Sequence, residues 1–142
     1  MLNADDPYNL QRFVEAQARV YDAVRTELRQ GRKRSHWMWF IFPQIAGLGH
    51  SAMSMRYAIS SLAEAEAYLQ HPILGPRLRE CTRLVVLVKD RSAYEILGSP
   101  DDMKFHSCLT LFSYAAPEEQ LFRDALEKYY DGAEDPLTLA KL

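Results

Sequence analysis

Long apolar runs, clustered cysteines and metal-ligand spacings are all missing from this chain, and each absence removes a class of function. No stretch approaches the roughly twenty consecutive apolar residues of a membrane helix, so no membrane role is expected. The two cysteines, Cys81 and Cys108, are too few for a secreted disulfide scaffold. Both fall within apolar helical patterns and read as buried free thiols. The histidines at 36, 50, 71 and 106 show no HxxxH spacing and no CxxC accompanies them, so neither a metal nor a cofactor is expected. A large excess of one charge is lacking as well. A formal net charge of -2 argues against coating nucleic acid through bulk positive charge. The opening MLNADDPYNLQRF has no basic and apolar signal architecture, which gives an expectation of a cytoplasmic protein.

What is present is ordinary for a globular chain: 48% hydrophobic and 25% charged residues over 142 positions. A chain of this length buries about two thirds of the surface it would expose unfolded. Without repeats or low-complexity linkers, the pattern predicts one all-α domain over 1–142, with about six to eight helices. Asp6-Pro7 can open a first helix of about five turns, since proline at the first position loses no helical hydrogen bond. Its apolar positions Leu10, Phe13, Val14, Val20, Val24 and Leu28 recur at helical spacing as far as Gly31. A short helix is expected over residues 54–60. Ser61 then caps LAEAEAYLQ, and His71-Pro72 breaks it. The stretch ILGPRLRECTRLVVLVKD is apolar nearly all round in its second half and reads as the central buried helix. A turn of helix near Tyr94 ends at Gly98. Ser99-Pro100-Asp101-Asp102 then signals the start of another helix, with Phe105, Cys108, Leu109 and Phe112 inward. Pro117-Glu118-Glu119 opens the last long helix, closed by Gly132, and the regular leucines of DPLTLAKL suggest a packed tail.

The chain is organised around residues 35–51, SHWMWFIFPQIAGLGHS, which hold both tryptophans and a Gly-Leu-Gly turn. Its apolar run suits a buried strand by propensity. A short helix ending near Pro43 is favoured, because nothing else in the chain offers a partner strand. A basic run, Arg29, Arg32, Lys33 and Arg34, lies directly upstream. Aromatic planes, fixed cations and a glycine turn this close together are what a pocket for a flat, anionic, nucleotide-like ligand needs.

The strings DPYNLQRFVEAQ, HWMWFIFPQ with GLG and Ser51, EAEAYLQHPILGPRL, DDMKFHSCLTLF and DGAEDPLTLAKL resemble the bacterial domain-of-unknown-function family 1810 nearly end to end. The resemblance implies an all-α cytoplasmic domain without an established activity. Members often carry an unsupported calpastatin label. Calpain inhibitors of that kind are disordered repeats, whereas this composition can support a core. The pattern of Pro72 to Leu78 followed by Lys104-Phe105 is more remotely similar to the YbiA-like, NAD- and ADP-ribose-associated superfamily. That similarity implies a small helical protein acting on N-glycosidic bonds.

Each candidate group carries two readings. The Arg32, Lys33 and Arg34 run could clamp a phosphate, or simply complement the end of a helix dipole. Trp37 and Trp39 could stack a base or belong to the core. His36, beside cations, could serve as a base or hold a structural hydrogen bond. Gln44 and the glycine turn with Gly47, Gly49 and Ser51 could line an anion site. GLGHSA fits the GxGxxA dinucleotide fingerprint only if a strand precedes it and a helix follows. Asp102 and His106 share a helix face with Lys104 close by, which suits either an acid–base unit or surface stabilisation. Ser107 and Ser51 are nucleophiles only with a base in reach. The acidic stretch 118–135 reads as a solvated face. Two hypotheses remain: a nucleotide- or ADP-ribose-binding N-glycosidase-like protein, or a non-enzymatic interaction module with a structural Trp-rich core. They differ over whether the tryptophan and Lys-His segments wall a shared hollow. Oligomeric state is open.

Overall fold

The computed structural model describes residues 5–142, which form ten helices and no strand; a lone parallel bridge joins Ile45 to Ile59. The all-α expectation holds, with more and shorter elements than six to eight. The first amphipathic stretch is two helices, α1 (Gln11–Ala18) and α2 (Tyr21–Arg29), rather than one. The chain turns at Arg19 and Val20, where the Val20 amide bonds only three residues back, to the Gln17 carbonyl. The start also lies beyond Pro7. The Asp6 carboxylate accepts from the amides of Leu10 and Gln11, and Asn9 takes a left-handed φ of 52°, so a carboxylate-closed turn precedes α1.

Arg12 ties this turn to the middle of the chain. Its guanidinium donates to the carbonyls of Tyr8, Asn9, Arg56 and Ala58, and to Glu64 at 3.0 Å. Glu64 is buried and also accepts from the Ser60 amide and hydroxyl. A buried ion pair alone barely repays its desolvation, so these neutral partners are what make it tolerable.

The tryptophan segment contains a short helix, α3 (Met38–Ile41), ending just before Pro43, as expected. Trp37, Met38, Ile41 and Phe42 are each at most 2% exposed. Serine caps then start α4 (Ala52–Arg56), α5 (Leu62–Gln70) and α7 (Ala93–Leu97) through Ser51, Ser61 and Ser92. Between the last two lies α6 (Leu74–Val86). The remaining helices are α8 (Asp101–Ala115), α9 (Gln120–Tyr130) and the tail helix α10 (Pro136–Leu139).

The central helix is α8, not α6. α6 buries one stripe, Leu74, Leu78, Cys81 and Val85, and leaves Leu87 just past its end 71% exposed. The run from Ser107 to Ser113 in α8 is buried throughout, and α8 packs on α5, α7, α9 and α10. Its Ser107, Thr110 and Ser113 hydroxyls donate to the carbonyls of Met103, His106 and Thr110 in their own helix. Polar residues satisfied within the helix can be buried without an orphaned group, and they mask the burial from a hydrophobic reading. Ser99 makes no cap to α8; Pro100 occupies the cap position. Both cysteines are buried free thiols, and burial pushes both thiol pKa values up, that of Cys81 to about 12.

A carboxylate fixes the approach to α3. Glu27, in α2 and only 8% exposed, accepts from the Arg34 amide at 2.7 Å and the Ser35 amide at 3.0 Å. It also takes the Ser35 hydroxyl at 2.6 Å and the Trp37 indole N–H at 3.0 Å. Burial pushes its pKa up, but the donors from Ser35, Arg34 and Trp37 outweigh that and hold it below the usual glutamate range. Its stabilisation is therefore present above the unfolded value of about 4.3 and is lost as pH falls through the lower folded value. Glu27→Gln keeps the shape but removes the charge. The variant should lose about 1.5–3 kcal/mol in urea unfolding at pH 7, and its acid destabilisation should be shallower than that of the wild type.

Candidate functional site

The first turns of α8, the loop over residues 44–49 and the tail before and within α10 surround a cavity of about 320 Å³. From α8 come Lys104, His106 and Ser107; Gln44 and Gly49 come from the loop, and Asp135 from the tail. Leu48, Met103 and Leu137 supply apolar surface at its walls and mouth.

Lys104 is the cation of the cleft. Its Nζ lies 5.2 Å from the centroid of the half-buried Trp39 ring and 3.8 Å from Asp101 Oδ1. The other oxygen of Asp101 is held by Lys33 Nζ at 2.9 Å, which itself sits 5.0 Å over the Trp37 ring. Two Lys–Trp pairs thus share one carboxylate. Lys33 takes the closer contact, and Lys104 keeps more of its charge for another partner.

His106 is positioned by its neighbours across α9. Its ring stacks on Tyr130 at 4.2 Å and 9°, and its Nε2 lies 2.7 Å from the Ala133 carbonyl. A carbonyl only accepts, so Nε2 carries the hydrogen, and in the neutral ring Nδ1 is left as an acceptor. Asp135 is the carboxylate of the cleft. Its Oδ2 accepts from the Ser107 hydroxyl at 2.8 Å, the Thr138 hydroxyl at 2.6 Å and the Thr138 amide at 3.2 Å. Burial pushes its pKa up, yet those bonds from Thr138 and Ser107, with the charge His106 carries when protonated, hold it below the usual aspartate range.

Several sequence candidates lie elsewhere. His36, Arg32 and Arg34 are exposed and do not line the cleft. The backbone explains this: the Arg32 amide bonds to the Glu27 carbonyl and the Arg34 amide to its carboxylate, so the segment is anchored by its main chain. Trp37 is fully buried and has no face for a base. Asp102 does not orient His106; its carboxylate accepts from the Met103 amide, and its carbonyl accepts from the Tyr130 hydroxyl. Ser51 is the α4 cap, accepting from the Ser54 amide and donating to the Ser54 hydroxyl.

The dinucleotide fingerprint lacks its strand, and its glycines serve packing. Gly47 has φ +96°, and a Cβ there would meet Lys141 Nζ at 3.0 Å; one on Gly49 would meet Ser54 Oγ at 2.6 Å. Ser107 donates to the Asp135 carboxylate, but that carboxylate is held below the usual aspartate range and is a weak base, so the bond anchors the tail rather than activating the hydroxyl. Among the described residues no group of three or more His, Cys, Asp or Glu side chains is set to hold a metal ion, and no helix is long and apolar enough to cross a membrane.

Asp135, Met103, Leu48 and Leu137 are cleft residues that the sequence reading missed. The signal for Asp135 was available: Asp135-Pro136 followed by Thr138 is a helix-start signature, and the residue is a cap rather than part of a solvated acidic face. Removing its Ser107 donor should loosen the tail. In Ser107→Ala, hydrogen exchange of the Leu139, Ala140 and Lys141 amides should speed up roughly fivefold, a loss of about 1 kcal/mol. The buried amides of α8 should be unchanged. The protection factors of the same tail amides, taken against the intrinsic rate at each pH, should fall in the wild type as acid protonates Asp135, since its stabilisation is present above about 3.9 and lost as pH falls through its depressed folded value.

No functionally curated protein matches the chain. The crystal structure of the conserved hypothetical protein Rv1873 from Mycobacterium tuberculosis is similar, with a TM-score of 0.95 and 59% identity, covering 96% of this chain and 98% of that one. These comparisons offer no support for the YbiA-like similarity. A family model described as a protein of unknown function, DUF1810, matches residues 7–142. The chain therefore belongs to the DUF1810 family.

Proposed function

We propose that the cleft between the 44–49 loop, α8 and the tail binds a small anionic, nucleotide-like ligand. The observation that carries this reading is Lys104, held against the Trp39 face at the cavity with only a 3.8 Å contact to Asp101. An ammonium fixed in this way meets a phosphate or carboxylate at little reorganisation cost. The cavity is near the lower end of the roughly 300–1,000 Å³ usual for ligand sites. That favours a mononucleotide or a single sugar phosphate over a whole dinucleotide. The apolar walls at Leu48, Met103 and Leu137 suit a planar ring. For cleavage of an N-glycosidic bond, the carboxylate able to activate water or steady an oxocarbenium charge in this cleft is Asp135.

A second reading, the interaction module, draws on one specific observation. Met103 and Leu137 are each 64% exposed at the mouth of the same cleft, as a docking patch would be.

A thermal-shift screen separates them. AMP or a related nucleotide at a hundredfold over its dissociation constant should add about 2.7 kcal/mol, or roughly 5–11 °C at about 2–4 °C per kcal/mol. Lys104→Ala should bind at least about tenfold more weakly. The absence of a shift with AMP, ADP-ribose and NAD alike would overturn the ligand reading and leave the docking patch.

A further inference from the structure

The cleft is not uniformly basic, and its polarity says more about the ligand than its size does. Lys104 and Ser107 lie on one face of α8, three residues and about 4.5 Å of rise apart. Lys104 is the cation at one end. At the other, Ser107 donates to Asp135. All three bonds from the Ser107 and Thr138 donors go to Oδ2 of Asp135. None of these donors engages Oδ1 of Asp135, a residue that lines the cavity. It remains an acceptor on the cavity. His106 lines the cavity beside it with Nε2 engaged by the Ala133 carbonyl, so that whenever its ring is neutral Nδ1 is a second acceptor.

One end thus carries a positive charge and the other offers two acceptors, with apolar walls between. A ligand that is anionic throughout would be repelled by Asp135, and an apolar anion would leave both acceptors unmatched on a shielded surface, which is costly. Resting on the ligand reading above, we propose that the cleft selects an anion whose far end carries paired hydroxyl donors. That chemistry is a ribose phosphate or ribonucleotide, its phosphate on Lys104 and its vicinal hydroxyls on Asp135 Oδ1 and His106. Asp135 is then the specificity-determining residue. It reads the sugar, while Lys104 holds the charge.

Asp135 also latches the tail, so the test must separate the two roles. Asp135→Asn keeps a good helix cap, and its side-chain oxygen can still take the Ser107 and Thr138 donors. The amide NH₂ then replaces Oδ1, so a donor faces the ligand's donors. Thr138→Val does the opposite: it weakens the latch and leaves the carboxylate in place. Calorimetric titration should use inorganic phosphate, AMP and 2′,3′-dideoxy-AMP against the full-length wild type and both variants. The wild type should prefer AMP over the dideoxy analogue by at least about tenfold, as one lost bond to a charged group predicts. In Asp135→Asn that preference should fall to within about twofold, with dideoxy-AMP affinity retained. Thr138→Val should keep the tenfold preference. Equal affinities in the wild type, or an equal collapse in Thr138→Val, would overturn the sugar-reading role. Phosphate binding that vanishes in Lys104→Ala would leave the anion site standing in that case. Failure of all three probes to bind the wild type would sink both.

Discussion

A carboxylate placed where water cannot easily reach it must find donors, and Glu27 finds four of them in the segment just before α3. That requirement shapes everything downstream. The chain leaves α2, reverses at Gly31 with φ +72°, and is drawn back over the carboxylate by the amides of Arg34 and Ser35. The Trp37 indole then enters the core with its N–H already satisfied, which is the condition for burying a tryptophan completely. Two residues later Trp39 lies at the half-buried margin and becomes the surface on which Lys104 rests. The cation of the cleft is thus positioned by an anion that never touches it. Lys33, pulled inward on the same segment, takes Asp101 and so leaves Lys104 less tightly neutralised.

The opposite wall obeys the same logic of polar groups satisfied internally. α8 can pass through the core carrying three hydroxyls because Thr110 and Ser113 return their hydrogens to carbonyls of the same helix and Ser107 shares its hydrogen between the Met103 carbonyl and the tail. Two of them do more: Ser107 also contacts Asp135, and Thr110 accepts from the Asp135 amide. The tail is therefore docked through hydrogen bonds rather than a large apolar face, and Leu137 remains outward at the cleft mouth. One wall is set by deep packing and the other by a carboxylate latch.

Local chemistry was legible in the sequence; the direction of side chains was not. Ser61 as a cap, the break at His71-Pro72 and the closure at Gly132 follow from rules that act within one turn. α5 begins after Ser61 and ends at Gln70, and α9 closes at Asp131 and Gly132 with left-handed φ values. The approach of the tryptophan segment to Lys104 was also legible, because an ammonium and an aromatic face are complementary. The arginines failed for a different reason. Spacing shows that Arg32 and Arg34 flank the hub, but it cannot show that their own amides are the anchored groups. Asp102 shared a helix face with His106, yet that ring was already engaged by Tyr130 and Ala133 from a part of the chain almost thirty residues on. The centrality of α8 was hidden by its serines and threonines, which lower apparent hydrophobicity without resisting burial. A continuous first helix was expected because its apolar period runs unbroken through Arg19 and Val20, whereas the backbone there turns.

The account stands on a single claim, that the ligand site is the Lys104–Asp135 cleft and not the arginine run upstream of the tryptophans. Backbone amide NMR shifts on titration with AMP test it most directly. The account predicts perturbations concentrated at Gln44, Leu48, Gly49, Lys104, His106 and Asp135. Perturbations centred on Arg29, Arg32 and Arg34, or none at saturating ligand, would contradict it.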